Sequence, residues 1–338
     1  MKAVRMHARA GPEALVYEDA PKPEAGPGEA LVSVHAAGVT PTEFTWNSTF
    51  TTRDKRDRLP IIPAFEVAGT IDEVGPDSSE FTGGEEVYGL LDFWRDGAAA
   101  EYVAARASDL APKPRSLSFI HSAAIPLSGL TAWQSLFDYA RLSKGETVLV
   151  HGAGGGVGTF AVQLARWRGA HVFATCSREK SDLVRSLGAE RVLDYSRVSF
   201  QDELGNLDVV LDTVGGEVLD NSWKVLRRGG SLVTIVGDAS EETAAKYGVK
   251  GFSILVEPNR SELVEIARLV DAGEVKPVVD AVFPLSRARE AYERGLGGHS
   301  RGKLILKIEA DGEGWGRSNE RERALVRALN EGRRVSKA

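Results

Sequence analysis

The stretch that most constrains this chain is Thr147-Val148-Leu149-Val150-His151 running into Gly152-Ala153-Gly154-Gly155-Gly156-Val157-Gly158. Its first five residues form a short apolar run of the kind a buried parallel strand needs. After the glycines, Val157, Ala161, Leu164 and Ala165 recur at helical spacing, which predicts a helix over 157–168. Strand, glycine turn and helix together have the geometry of a dinucleotide site. The glycines let backbone approach a pyrophosphate, and the helix N-terminus offers free N–H groups and positive partial charge. The glycines read GxxGxxG rather than the stricter GxGxxG. The flanking strand and helix therefore carry the argument against a plain flexible turn.

A second strand is predicted over 170–175, ending in Thr175-Cys176-Ser177-Arg178-Glu179-Lys180. When such a fold holds the ribose 2′-hydroxyl of NAD, an acidic residue usually stands at that strand tip. Here a hydroxyl, Ser177, and two cations, Arg178 and Lys180, follow instead. They suit a 2′-phosphate, so NADP(H) is the expected cofactor. Glu179 and a solvated first helical turn keep the alternative open.

The chain has 338 residues, enough for two domains and sizeable cores. A net charge of −6 gives no reason to expect nucleic acid or a membrane as partner. No run approaches the roughly 18 apolar residues of a membrane span. The N-terminus lacks an apolar signal core, and the single cysteine, Cys176, excludes an internal disulfide. The simplest expectation is a cytoplasmic protein.

From 147 to 256 strands and helices alternate. Strands are predicted at 147–151, 170–175, 191–193, 208–212, 231–236 and 252–256, with helices at 157–168, 178–187 and 217–226. That alternation argues a doubly wound parallel sheet. Residues 1–122 are rich in Pro and Gly with short alternating runs, which suggests twisted short strands. After 258 come helix, strand, helix and strand. Residues 309–338 are expected to be an appendage with a charged, helical stretch at 319–330.

Several blocks then fall in a recognisable order: Ala36-Ala37-Gly38-Val39, Ile62-Pro63-Ala64-Phe65-Glu66-Val67-Ala68-Gly69, Pro126-Leu127-Ser128-Gly129-Leu130-Thr131-Ala132-Trp133, the glycine loop, Asp208-Val209-Val210-Leu211-Asp212-Thr213-Val214-Gly215-Gly216 and Arg301-Gly302-Lys303. With them the chain resembles the medium-chain dehydrogenase/reductases, in the zinc-independent quinone oxidoreductase (zeta-crystallin-like) branch. The resemblance implies an α/β protein. A GroES-like β-rich substrate domain would be built from 1–122 and 258–308, and a Rossmann NADP(H)-binding domain would occupy 123–257.

The zinc alcohol dehydrogenases of that superfamily place a Cys ligand soon after the Ala-Gly-Val segment and a His before the Glu. This chain has Thr40 and Phe65 there, so no zinc is expected, since a tetrahedral site needs thiolate and imidazole ligands. The six histidines, His7, His35, His121, His151, His171 and His299, show no ligand spacing and read as surface or satisfied core residues. Without zinc there is little to polarise an alcohol. Hydride donation to an electron-poor carbon, in a quinone or an α,β-unsaturated carbonyl, is the expected reaction. An enoyl-thioester reductase and a non-catalytic NADPH-binding protein are the competing expectations.

By resemblance, Thr131 touches the nicotinamide carboxamide and Gly155, Gly156 and Val157 cover the pyrophosphate. Ser177 and Lys180 take the 2′-phosphate, with Arg178 added from its position. Tyr195 lies by the adenosine, and Val214, Val236 and Gly237 flank the nicotinamide ribose. Lys303 reaches the cofactor from the other domain. Thr40, where many relatives carry Asn, can donate one hydrogen bond to a carbonyl oxygen; the alternative is a plain turn Thr before Pro41. The apolar run 252–256 reads as an edge strand, and relatives pair two such edges, so a homodimer is implied.

Overall fold

The structure, a computed structural model, describes residues 1–298 and 300–308. A short antiparallel pair, β1 (Lys2–Met6) and β2 (Leu15–Asp19), opens the chain. Five strands follow: β3 (Glu29–Val39), β4 (Glu66–Val74), β5 (Glu86–Leu90), β6 (Tyr102–Arg106) and β7 (Leu110–Pro112). Next come six strands of the alternating region: β8 (Thr147–Val150), β9 (His171–Cys176), β10 (Arg191–Asp194), β11 (Leu207–Asp212), β12 (Leu226–Thr234) and β13 (Lys250–Ser253). β14 (Val279–Pro284) and β15 (Lys303–Lys307) close the described chain.

Strands β8 to β13 form one parallel sheet in the order β10-β9-β8-β11-β12-β13. Numbered within the sheet this is 3-2-1-4-5-6, the doubly wound order of dinucleotide-binding sheets. Alternate residues of each strand serve opposite faces. Val148, Val150, Val209 and Leu211 share a core with Phe160, Ala161 and Leu164 of the helix Gly156–Arg168. Leu149, Val210 and Leu232 pack on the other side with Phe200 and Trp223. Both faces are covered, so the central strands β8 and β11 carry apolar residues on both sides. Each buried aliphatic side chain contributes roughly 1.5–3 kcal/mol. The helix Gly156–Arg168 stops at Gly169, whose φ of 83° is left-handed and suits glycine.

The second sheet is ordered β14-β15-β3-β4-β5-β7, with β6 on β3. It draws strands from both ends of the chain, because β15 pairs antiparallel with β3. This explains why the sequence changes character twice.

Several boundaries differ from the sequence-based expectation. The edge strand is Lys250–Ser253, not 252–256. After Ser253 the chain makes one more ladder bond, Ile254 N–H to Thr234 O at 3.0 Å. It is then clipped by Gln134, which donates to Glu257 O at 2.8 Å and accepts from Glu257 N–H at 3.1 Å. The apolar residues Ile254 and Val256 are consequently buried rather than set along a free edge. The expected helix 178–187 is a 3-10 turn, Arg178–Lys180, followed by an α-helix, Ser181–Leu187. A helix at Glu241–Tyr247 was not expected. The tail 309–338 and His299 lie outside the described residues.

Candidate active site

Strand order reverses between β8 and β11, and their C-terminal loops border a cleft there. The turn after β8 is possible only with glycine at two positions. Gly152 has φ 65°, and a Cβ there would sit 2.3 Å from Thr213 Oγ1. At Gly158 a Cβ would lie 2.4 Å from Gly152 O. No side chain caps the helix that begins at Gly156, so the first-turn N–H groups of the loop are left to a ligand.

Across the cleft, the turn after β11 is fixed by Asp212, which is fully buried. Its carboxylate accepts from Val214 N–H and Gly215 N–H, both at 3.0 Å, and from Thr234 Oγ1 at 2.8 Å. The turn thus holds Val214 with its side chain outward. Val214 and Val236 are each 53% exposed, although both follow strands of the buried sheet. They are neighbours over Gly215, where a Cβ would lie 3.2 Å from Val236 Cγ2. Two exposed apolar side chains thus stand beside a helix end that no side chain caps. Gly237 is exposed next to them.

At the tip of β9, Ser177 precedes the turn Arg178–Lys180. Arg178 is exposed. Lys180 lies along Gly154 and donates from Nζ to Ser300 O at 2.7 Å, and burial lowers its pKa. Tyr195, 66% exposed, stands just beyond β10. Sequence reasoning missed Asp194 in this corner, an acid from the third strand paired in register with Cys176. Hydrogen bonds from Ser196, and then the charges of Arg197 and Arg178, hold its carboxyl below the ordinary value.

The far wall comes from the other sheet and is ionic. Gly302 N–H donates to Gly154 O at 3.2 Å, which ties the start of β15 to the glycine loop. The next residue, Lys303, is 5% exposed, and its stem lies against Gly156. Its Nζ donates to Val39 O at 3.1 Å and to Thr40 Oγ1 at 3.0 Å, and stands 2.5 Å from Glu66 Oε2. Glu66 is fully buried, and its Oε1 accepts from Leu127 N–H at 2.9 Å. Thr131, one turn further along that helix, donates its hydroxyl to Leu127 O at 2.6 Å. Its oxygen keeps lone pairs for an amide.

Behind Thr40 lies a second buried carboxyl that the sequence did not reveal as functional. Glu43 is fully buried, accepts from Ala64 N–H at 3.1 Å and from the Tyr292 hydroxyl, and is pushed up to about 8 by burial. Burial also raises Tyr292 well above its ordinary value. The only sequence signal for this cluster is that Glu43 and Glu66 stand beside Phe44, Phe65 and Val67, in runs otherwise suited to a core. Trp46, Phe65 and Phe93 form an aromatic wall next to it, with ring centroids 5.1 to 6.3 Å apart.

The described histidines have other partners. His151 is buried, bonded to Thr175 and Ser222, and burial pushes it down to about 4, so it is a neutral core residue. His7 and His171 face Glu18 and Glu190, His35 stacks on Phe119, and His121 bonds Ser118. Among the described residues no group of three His, Cys, Asp or Glu is placed to hold a metal.

Comparison with known proteins agrees with this architecture. Residues 26–115 match the alcohol dehydrogenase GroES-like domain, and residues 187–306 match the family described as zinc-binding dehydrogenase. The mitochondrial NAD(P)H oxidoreductase RTN4IP1 of Mus musculus is 33% identical over 325 residues, covering 83% of this chain and 82% of that protein. The chloroplastic NADPH-dependent alkenal/one oxidoreductase of Arabidopsis thaliana is 33% identical over 84% of this chain and 73% of its own length. The solved structure of the quinone oxidoreductase from Coxiella burnetii superimposes with a TM-score of 0.86 at 32% identity, covering 91% of this chain and 99% of that one. Two of these relatives carry organelle names, so the expectation of a cytoplasmic protein does not stand. No described helix is long and apolar enough to cross a membrane.

Proposed function

Because the chain belongs to the medium-chain dehydrogenase/reductase superfamily, among its quinone oxidoreductase-like members, we propose that it is an NADP(H)-dependent reductase of quinones or α,β-unsaturated carbonyls. The observation that carries this reading is the cleft wall. Val214 and Val236 stand exposed beside an uncapped helix N-terminus, and Lys303, whose stem lies against Gly156 at that same helix start, holds Thr40 of the other sheet's side. In this reading, residues 123–257 form the nucleotide domain, and 1–122 with 258–308 the substrate domain.

The residues fit a dinucleotide. Gly155, Gly156 and Val157 would hold the pyrophosphate, and Ser177, Arg178 and Lys180 the 2′-phosphate. Tyr195 would flank the adenosine, Val214, Val236 and Gly237 the ribose, and Thr131 the carboxamide. When bound, NADPH supplies the hydride. The chain's own contribution is to hold the acceptor over that face, exclude water with the Trp46, Phe65 and Phe93 wall, and offer Thr40 to the acceptor's oxygen. The apolar wall suits a flat acceptor with few polar atoms.

Zinc does not fit this site. Thr40, Phe65 and Lys303 offer a hydroxyl, a hydrocarbon ring and an ammonium, and the Glu66 carboxylate beside them is already taken by Lys303 Nζ and Leu127 N–H, where a zinc site needs several thiolate, imidazole or carboxylate ligands together. A homodimer also belongs to this reading, with the exposed edge of β13 as the contact.

The test follows NADPH absorbance with a panel of quinones, enones and enoyl-CoA, in chelator, on protein whose metal content has been measured. NADPH loss with a quinone or an enone, with well under one zinc per chain and no effect of chelator, is expected. Stoichiometric zinc with chelator-sensitive turnover would overturn the metal-free reading. Turnover of enoyl-CoA alone would move the substrate class to thioesters.

A further inference from the structure

Lys303 is an unusual neighbour for a substrate-facing hydroxyl. Its ammonium is almost fully enclosed and has three close oxygen partners: Val39 O, Thr40 Oγ1 and Glu66 Oε2. An ammonium has three protons and no lone pair, so toward Thr40 it can only donate. That decides the direction of the Thr40 hydroxyl. The oxygen receives the lysine proton, and its own proton points elsewhere. Thr40 precedes the 3-10 turn Pro41–Thr45, but its side chain makes no capping bond to it. Among the described residues, nothing accepts the Thr40 proton. The hydroxyl is half-buried, and the lysine stem behind it runs along Gly156 at the mouth of the glycine loop.

We propose that Lys303 is a positioning residue that fixes Thr40 as a polarised hydrogen-bond donor to the acceptor's carbonyl oxygen, so that an internal ammonium supplies through Thr40 the positive charge this oxygen meets as it becomes negative. This rests on the reductase reading above. The hydride's electron pair becomes the new C–H bond at the acceptor carbon, NADPH leaves as NADP+, and the π electrons of the acceptor shift onto its carbonyl oxygen. Thr40 stabilises that charge without giving up its proton, and the oxygen or carbon is protonated afterwards by water. Preorganised donors aimed at developing charge in a dry site act more strongly than the same groups in water. A donor whose own oxygen is held by a cation is a charge-assisted one. Glu66 balances the ammonium from the far side, so the buried pair is neutral overall and Thr40 receives the exposed end of its field.

The experiment uses p-nitrophenol, whose ionised form presents a ring-bound oxyanion, in complex with the full-length protein and NADP+. Binding of the phenolate is read from its absorbance, so the measurement does not depend on turnover. NADP+ affinity is measured separately by fluorescence. Thr40→Val, which keeps the shape and removes the hydroxyl, should weaken phenolate binding about 30-fold, the worth of one charge-assisted hydrogen bond. NADP+ affinity should stay within about threefold, and Thr40→Ser should restore phenolate binding to within about threefold. The paired change Lys303→Gln with Glu66→Gln removes both charges without leaving either alone. It should weaken phenolate binding by a similar factor, and adding Thr40→Val to it should cost little more. Circular dichroism checks that this variant folds, and Lys303→Met with Glu66→Gln is the second neutral pair. Losses that multiply across the combined variant would overturn the proposal, because lysine and threonine would then act independently. Unchanged binding in Thr40→Val, or no phenolate binding by the parent protein, would overturn it too. A parent that binds phenolate through Thr40 but reduces no acceptor would refute the reductase reading and leave this arrangement standing.

Discussion

Glu43→Gln should become more stable than the parent protein as pH rises, by a margin growing on the order of 5 kcal/mol between about pH 4.5 and 8 and level above that. The cause is burial. Glu43 has no exposure, so its charged form is disfavoured and its folded pKa rises from the ordinary 4.5 to about 8. Tyr292 and the Ala64 amide pull it back only in part, as does the charge of Lys303. The sign follows from proton counts. Between the two values the folded protein holds a proton that the unfolded chain has lost, so stability falls as pH rises through that window. Gln cannot titrate and escapes the fall. It also fits the site, since its carbonyl can accept from Ala64 N–H while its amide donates to the Tyr292 oxygen. Denaturant melts of both proteins at pH 5, 7 and 9 read the difference. A margin that does not change with pH would mean that Glu43 is ionised in the fold.

Replacing both Arg178 and Lys180 by Ala should raise the NADPH dissociation constant roughly a hundredfold more than that of NADH. This is about 3 kcal/mol for two charge-assisted contacts to a 2′-phosphate. The ratio of cofactors matters more than the NADPH value alone. Lys180 also bonds Ser300 O and packs on Gly154, so its removal disturbs the loop for either nucleotide. That cost cancels in the ratio, because the two cofactors differ only at the 2′-position. Fluorescence titrations with both cofactors decide it, and equal losses would remove the NADP(H) assignment.

Much of the nucleotide half could be read from residue order. Its central strands, β8 and β11, are buried on both faces and stand out as apolar runs, and the strand and helix that flank the glycines point to one turn geometry. Where reading stopped, the reasons are physical. Phe252 to Val256 is a run of mostly apolar residues that reads as one strand, but the ladder stops after Ile254 and the chain is held next by the Gln134 amide on Glu257, a contact 123 residues away in sequence. The helix Glu241–Tyr247 lacked an apolar stripe, although its stop and start signals were present. Ser240 accepts from Thr243 N–H, and Gly248 ends it at φ 66°. In the ionic wall, Thr40 and Lys303 were legible as site residues, but their pairing with each other and the buried Glu43 and Glu66 were not. Tyr292 meets Glu43 across 249 residues and Lys303 meets Thr40 across 263. Such pairs exist only because β15 returns to β3. Lys303 was expected at the cofactor from the far domain. Its stem does border the glycine loop, while its charge is aimed at Thr40 and Glu66.

The most direct test of the whole account is a transfer experiment with NADPH carrying deuterium at its reactive nicotinamide carbon and 2-cyclohexenone as acceptor, the product being read by mass spectrometry. One deuterium at the β-carbon of the saturated ketone, with one NADPH consumed per product formed, is the expected result. Tight NADPH binding in the cleft with no oxidation by this enone, nor by any quinone or enone of the panel, would contradict it and make the protein a nucleotide-binding protein without turnover.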